Sequence, residues 1–420
     1  MAEALLSDPP TPLSPPSTPI PRAAWLALGA AGLGWMLDAF DVMLYSFALS
    51  AIREEFGLSG AQAGLLASAT LIFSAAGGIA FGVLADRIGR VKALALSILV
   101  YSVGTGLTAA ADSLTTLFVC RAIVGIGLGG EWSAGSVLVA ESWPAASRGR
   151  AIGFMQSGWA IGYALAAIVA AEVIPVHGWR VLFVIGLAPA LLTFVIRWMV
   201  PEPERAPQAA PRAEAPRGRL LDLFAAPLRS RTLLATAFAT ALLFAYWGLF
   251  TWLPTFLASS PEKGGVGLGL VKSTPWILAV QAGAFLGYTT FGFLADWIGR
   301  RPAVRLFVLG AALVVPIFAF GARDEQLVFW LAPLVGYFGH GAFSVFGSLL
   351  AELFPSSIRG TAQGFCYNAG RALSALAPIT LGAVADAHGL AIALSLTVAF
   401  FVIAAVLVGY LPETKGRELT

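Results

Sequence analysis

The sequence predicts an all-α membrane protein: twelve transmembrane helices arranged as two parallel six-helix repeats. Two observations carry this. Of 420 residues, 58% are apolar and only 12% are charged, where a soluble domain carries roughly 25% charge. A water-facing helix needs a polar face, and this composition cannot supply one to so many helices. The second observation is an internal repeat, set out below.

At roughly 20 apolar residues per span, the chain has room for about a dozen spans and little else. The first half reads as spans at 24–50, 61–84, 93–111, 115–140, 151–172 and 179–200. The second half reads as 232–258, 274–295, 303–321, 328–351, 361–384 and 390–411. The breaks are short and hold Gly, Pro or charge. Residues 1–22 are rich in Pro and Ser and read as a disordered tail. They lack the basic start, short apolar run and cleavage site of a signal peptide. Residues 23–200 form the first bundle, 201–231 a polar linker with six arginines, 232–411 the second bundle and 412–420 a tail.

Positive charge sets the expected orientation. With both termini and the linker in the cytoplasm, 18 of the 26 Lys and Arg face that side. Five face outward (Arg53, Arg180, Lys263, Lys272, Arg323), and Arg121, Arg197 and Arg371 lie within spans. The expected location is the plasma membrane, as in a bacterial inner membrane. The net charge of +3 and the scattered arginines exclude a nucleic-acid surface. Cys120 and Cys366 sit in separate apolar stretches, and the three histidines are far apart, so neither a disulfide framework nor a metal site is expected. No nucleophile or cofactor motif is visible, so no cofactor and no enzymatic activity are expected.

The repeat lies at helix ends. Gly82-Val-Leu-Ala-Asp86-Arg87-Ile-Gly89-Arg90 returns as Gly292-Phe-Leu-Ala-Asp296-Trp-Ile-Gly299-Arg300, 210 residues later. Glu141-Ser-Trp-Pro144 with Arg148-Gly149 returns as Glu352-Leu-Phe-Pro355 with Arg359-Gly360, 211 later. Pro201-Glu202 returns as Pro412-Glu413 at the same spacing. A six-helix unit was therefore duplicated in the same orientation. Parallel halves are a transporter plan, with a substrate site between them near the bilayer midplane.

The Gly-x-x-x-Asp-Arg-x-Gly-Arg loop and its second copy resemble the signature of the major facilitator superfamily, and the resemblance covers residues 24–416. Leu37-Asp38-Ala39-Phe40-Asp41 is similar to the acidic motif of aromatic acid:proton symporters, which have Gly where this chain has Ala39. Gly129-Gly130-Glu131-Trp132, Val139-Ala140-Glu141-Ser142-Trp143-Pro144 and the stretch from Gly153-Phe154 to Gly162 resemble the sialate:proton symporter and lactate permease branch. The ending Leu411-Pro412-Glu413-Thr414-Lys415-Gly416 also resembles sugar porters.

Ionisable groups inside spans cost roughly 2.5–3.5 kcal/mol each and mark candidate sites. Asp38 and Asp41 lie three residues apart on one helix face, and two close carboxylates resist ionising together, which suits a proton carrier. Arg371 lies mid-span with Tyr367 and Asn368, the chain's one Asn, on a shared face, and Gln363 precedes them. A guanidinium there can hold a carboxylate through two parallel hydrogen bonds. At the equivalent position of the first half stands Ala160. The competing reading is a salt bridge from Arg371 to Asp38, Asp41 or Glu131.

Arg121 and Glu131 are ten residues apart on one helix, about 15 Å, and cannot pair. Arg121 matches the Arg of the superfamily's Arg-x-x-x-Gly-x-Gly motif, and the resemblance implies a part in proton coupling or substrate orientation. Its glycines admit close helix approach. His340 is a further proton-transfer candidate, against a bland role as a packed core residue. Trp247 is a candidate cavity wall, against ordinary packing. The charges Asp86, Arg87, Arg90, Asp296, Arg300 and Arg301 are expected to gate rather than bind: in the superfamily such groups latch neighbouring helices and release on switching. The expectation is a proton-coupled importer of a small organic anion such as lactate, a sialate or an aromatic acid, working as a monomer by alternating access. The rivals are a sugar symporter, a drug exporter and a membrane sensor.

Overall fold

The computed structural model describes residues 20–88, 90–143, 145–191, 220–355 and 358–415. The expected tail at 1–22 falls almost wholly outside the described residues, as do Arg197 and most of the linker. The first half builds α1 (Arg22–Phe56), α2 (Gly60–Ile88), α3 (Arg90–Thr108), α4 (Leu114–Ser142) and α5 (Ala145–Ile185). The second builds α6 (Ala226–Ala258), α7 (Gly269–Ile298), α8 (Arg300–Phe320), α9 (Glu325–Gly341), α10 (Val345–Leu353), α11 (Arg359–Ser374), α12 (Leu376–His388), α13 (Leu390–Ser395) and α14 (Thr397–Tyr410).

These elements are the twelve spans. The fifth and sixth run together as α5, broken by Gly178 at φ 78°, a conformation open to glycine but not to a β-carbon. The tenth is α9 plus α10, joined by a short 3-10 turn at Ala342–Ser344. The eleventh is α11 plus α12 and the twelfth α13 plus α14, each offset at one residue, Ala375 and Leu396. The expected spans stop short of the helices, because most helices project beyond the apolar run into polar ends.

Local chemistry sets the ends. Ser113 caps α4: its hydroxyl accepts from Thr116 N (3.2 Å), and Thr116 Oγ1 accepts from Ser113 N (3.0 Å). Asp324 caps α9 through the amides of Gln326 and Leu327, both at 3.0 Å. Large apolar side chains such as Ile79 and Leu313 point outward, as lipid-facing chains must. Exposed Trp25, Trp297 and Tyr410 lie at one end of the bundle and Trp330 at the other, the levels where aromatic rings anchor to an interface.

Duplication predicts paired seams, and they are present. α5 packs on α7 (span five on span eight), and α2 packs on α11 and α12 (span two on span eleven). The seam of α2 on α12 closes through glycine. A β-carbon on Gly64 would stand 2.2 Å from Pro378 O, one on Gly60 2.4 Å from Gly382 O, and one on Gly382 2.1 Å from Gly60 O. Inside the first half, a β-carbon on Gly162 would stand 2.9 Å from that of Ala39, so α1 carries alanine there by lying on a glycine of α5.

Candidate functional site

Helix α4 positions Arg121. Its glycines divide the work: Gly125 and Gly129 lie against α2, where added β-carbons would come within 2.5 Å of Thr70 O and 2.0 Å of Ser74 O. Gly127 lies against Tyr101 of α3 in the same way. This approach lets the 1% exposed Arg121 donate from Nε to Thr70 Oγ1 at 3.0 Å. The same hydroxyl lies 3.3 Å from Arg121 O as a donor. The guanidinium carbon stands 4.9 Å over the Tyr45 ring, and Nη1 is buried with no acceptor. A cation on an aromatic face is partly compensated.

Helix α1 presents Asp38, Asp41 and Tyr45 at helical spacing along one side. Asp41 is fully buried; its Oδ2 accepts from Thr105 Oγ1 of α3 at 2.8 Å, and Oδ1 has no donor. Asp41 and Arg121 sense each other's charge, yet form no ion pair within 4 Å. Asp38 is buried beside them.

Arg371, on α11, is 6% exposed. Nη2 donates to Tyr367 OH at 3.0 Å, Nη1 reaches across the interface to Ser74 Oγ at 3.3 Å, and the guanidinium stands 4.8 Å over the Tyr367 ring. Its Nε is buried without an acceptor. Among the described residues no carboxylate lies within ion-pair distance of either Arg371 or Arg121, so neither is neutralised by a direct pair there. Ser74 is the midpoint of α2, which places the site halfway through the bundle.

Trp247 of α6 faces the same region. It helps line a cavity of about 20 Å³ with Tyr45, Thr70, Arg121 and Thr251, room for about one water. Its ring meets Trp159 of α5 edge-on at 6.0 Å, and both indole nitrogens lack acceptors. Tyr163 OH donates to Phe250 O at 3.0 Å, a second link between the halves.

Other candidates sit elsewhere. Asn368 donates to Gly364 O at 2.9 Å on its own helix, with its amide against Gly78. Gln363 is half-buried and lies two turns, about 12 Å, from Arg371. His340 is fully buried inside the second half among Tyr246 (5.1 Å), Phe250 (3.9 Å) and Tyr288 (5.7 Å), with neither ring nitrogen hydrogen-bonded. The side chains of Glu131, Asp86, Arg87 and Arg90 lie outside the described residues. Sequence reasoning missed Thr70, Ser74, Thr105 and Tyr45. The first two form a hydroxyl pair at i, i+4 in α2, a weak signal because Ser68 of the same helix is a further hydroxyl.

The two ends of the bundle are built differently. At one end, which we call the basic end, Arg300 pairs with Asp296 and with Glu352 (3.3 Å). Glu413 accepts from the amides of Arg300 (2.8 Å) and Arg301 (3.0 Å), an anion on the start of α8. Partial burial pushes the Glu413 carboxyl up, but the amides of Arg301, Arg300, Lys415 and Thr414 outweigh it and hold it below its ordinary value. Arg301 also donates to Gly409 O. These contacts stay within the second half; between the halves at this end, Arg150 lies 5.5 Å over the Phe293 ring. At the far end the halves are tied together. Arg53 of α1 pairs with Asp386 of α12 at 2.9 Å, Gly60 N donates to Asp386 at 2.5 Å, and Trp252 Nε1 donates to Pro378 O at 3.1 Å within the second half. Ser68 donates to Ala375 O across the same seam.

Two six-helix halves, a glycine-closed seam and a buried polar site at their midpoint fit one family, and its pattern matches. The pattern described as Major Facilitator Superfamily covers residues 31–333, and one described as Sugar (and other) transporter covers 306–420. The chain belongs to the major facilitator superfamily. It is a membrane transporter of small organic solutes, not an enzyme. Among its relatives is the cis,cis-muconate transport protein of Acinetobacter baylyi, 34% identical over 84% of this chain and 86% of that one. Another is the sialic acid transporter NanX of Escherichia coli, 31% identical over 91% and 93%. In fold it is similar to the proton:xylose symporter XylE (TM-score 0.70, 19% identity, 94% of this chain and 98% of that one).

Proposed function

We propose that this transporter imports small organic carboxylates, drawn by the proton gradient. One observation carries the reading: Arg371 is buried at the midpoint, bonded to both halves, with no carboxylate in ion-pair range among the described residues. A buried cation without an anion is costly, and an incoming carboxylate removes that cost. A neutral sugar would leave it in place. The muconate and sialic acid relatives support the choice, since both named solutes carry carboxylates.

Asp41 is the proton carrier in this reading. One of its oxygens is held by Thr105, the other is buried without a donor, and Arg121 is near enough to sense its charge. Asp38 shares its side of α1. Glu131 and His340 remain candidates at a greater remove. Arg371, with Tyr367 beside it, binds the carboxylate; Trp247 walls the cavity at Arg121; Asn368 and Gln363 shape the approach from the basic end. That end lies in the cytoplasm with both termini and the 201–231 linker, as the charge bias suggests. The sealed far end is then the outer gate. The charges at Asp86, Arg87, Arg90, Asp296, Arg300 and Arg301 hold the inner gate in the opposite state. Protons moving inward supply about 2.3 kcal/mol per charge per 100 mV.

The test is uptake of labelled lactate, sialate, benzoate and muconate into proteoliposomes, with an inward proton gradient imposed and then collapsed. Gradient-dependent uptake of at least one acid, lost in Arg371→Ala, is the expected result. Folded protein that takes up none of them under a gradient would sink the proposal.

A further inference from the structure

Arg371 and Arg121 come from different halves, yet both are bonded to one helix. Arg121 Nε donates to Thr70 and Arg371 Nη1 donates to Ser74. Thr70 and Ser74 are i and i+4 on α2, so they share a face and lie about 6 Å apart along it. Each cation lies over a tyrosine ring, Tyr45 at 4.9 Å and Tyr367 at 4.8 Å. Each keeps one buried N–H without an acceptor, Nη1 of Arg121 and Nε of Arg371. Neither is paired to a carboxylate within 4 Å among the described residues. Trp247 and Thr251 of the opposite half close over the Arg121 end.

We infer that the preferred substrate is a dicarboxylate, held with one carboxylate on Arg371 and the other on Arg121, its two charges about one helical turn apart. The inference rests on the carboxylate reading above and narrows it. Charge balance favours it. When Asp41 carries the transported proton it no longer offsets Arg121, and each arginine then offers the ligand a buried N–H without an acceptor. A monoanion answers one of them and leaves the other exposed to the cost of an unmatched buried charge. A dianion answers both. The spacing also selects: the span from Thr70 to Ser74 suits a short rigid diacid, while the aromatic edges of Trp247 and Trp159 offer flat walls to an unsaturated chain.

The test compares three ligands on the purified full chain by calorimetry or tryptophan quenching: muconate, its monomethyl ester, and sorbate, which has the same diene chain with a single carboxylate. Muconate should bind at least tenfold more tightly than either of the others. Arg121→Gln and Arg371→Gln should each bring the muconate-to-sorbate ratio to about one. Sorbate and the half-ester binding within about twofold of muconate would overturn the dicarboxylate inference and leave the carboxylate reading standing. No binding of these three or of benzoate and lactate would overturn both. The ratio in the unsubstituted protein decides the matter even where an arginine variant fails to fold.

Discussion

The far-end seam makes the sharpest quantitative demand. Substituting Gly64→Ala puts a β-carbon 2.2 Å from Pro378 O and 2.5 Å from its carbonyl carbon, where ordinary contact is 3.4–4 Å. Both neighbours are backbone, so no side chain can swing aside. Helices α2 and α12 must part by about 1 Å, and overpacking of this kind costs about 1–3 kcal/mol. The cost falls only on the conformation closed at this end, because the seam does not exist once the halves part. The closed-to-open equilibrium should therefore move by about 5- to 150-fold toward opening. The reporter is Ser68→Cys, fully buried in the same seam, labelled by a membrane-impermeant thiol reagent. The native Cys120 and Cys366 are buried and set the background. Labelling should rise by that factor in Gly64→Ala. It should stay flat in Gly29→Ala, where an added β-carbon meets nothing within 4 Å. Equal labelling in both variants would refute the claim that this glycine seam is the gate.

Three further outcomes are expected. Asp386→Asn removes the ion pair to Arg53 but keeps an acceptor for Gly60 N; with side chains 26% and 37% exposed, the pair is worth at most about 1 kcal/mol. Labelling at Ser68→Cys should rise less than in Gly64→Ala, and a larger rise would show that charge rather than packing holds the seam. Thr105→Val strips the hydroxyl from Asp41 Oδ2 and leaves a buried carboxylate without a described donor, a cost of about 1–3 kcal/mol. The pH profile of proton-driven uptake should move, and an unmoved profile argues against Asp41 as the carrier. Glu413 is held below its ordinary 4.5 in the folded state, so its contribution is present above that value and is lost as pH falls through the lowered one. Thermal stability of the solubilised protein should therefore drop below about pH 5 more steeply in the parent than in Glu413→Gln; identical slopes would contradict the helix-cap role.

Arg371 was legible in the sequence because a charge in mid-span is rare and its cost is known in advance. Arg121 was legible through the glycines that follow it, which the structure uses on two faces of α4. Thr70 and Ser74 were not. Hydroxyls are cheap in a helix, since they can bond back to the preceding turn, so their presence in an apolar run carries little information. Only the approach of α4 and α11 turns them into ligands for two arginines. The competing expectation is a direct salt bridge from Arg371 to Asp38, Asp41 or Glu131: Ser74 and Tyr367 take its N–H groups, no described carboxylate pairs with it, and the side chain of Glu131 lies outside the described residues. Asn368 shares the expected stretch with Arg371, but its amide bonds to Gly364 and lies on Gly78, a contact set by a glycine on another helix. The Arg53–Asp386 pair, 333 residues apart, has no local signature at all.

The duplication and the site pull in different directions, and the difference explains how one scaffold can carry a specific load. Span two against span eleven and span five against span eight are equivalent seams, as two copies of one unit require. In the proposed mechanism such a pair rocks about its centre, parting one seam as the other closes. Charges obey no such equivalence. Where α11 carries Arg371, the matching position of α5 is Ala160, beside Trp159 and Tyr163, which bind the first half to α6. Burying two cations between symmetric halves makes the empty carrier electrostatically expensive, and ring faces and hydroxyls offset that only in part. On the dicarboxylate reading, a dianion together with a protonated Asp41 removes the expense. In the proposed mechanism the loaded carrier then crosses while the half-loaded one is held back, and coupling is expected to follow from the cost of charge at the midpoint rather than from any lever at the ends.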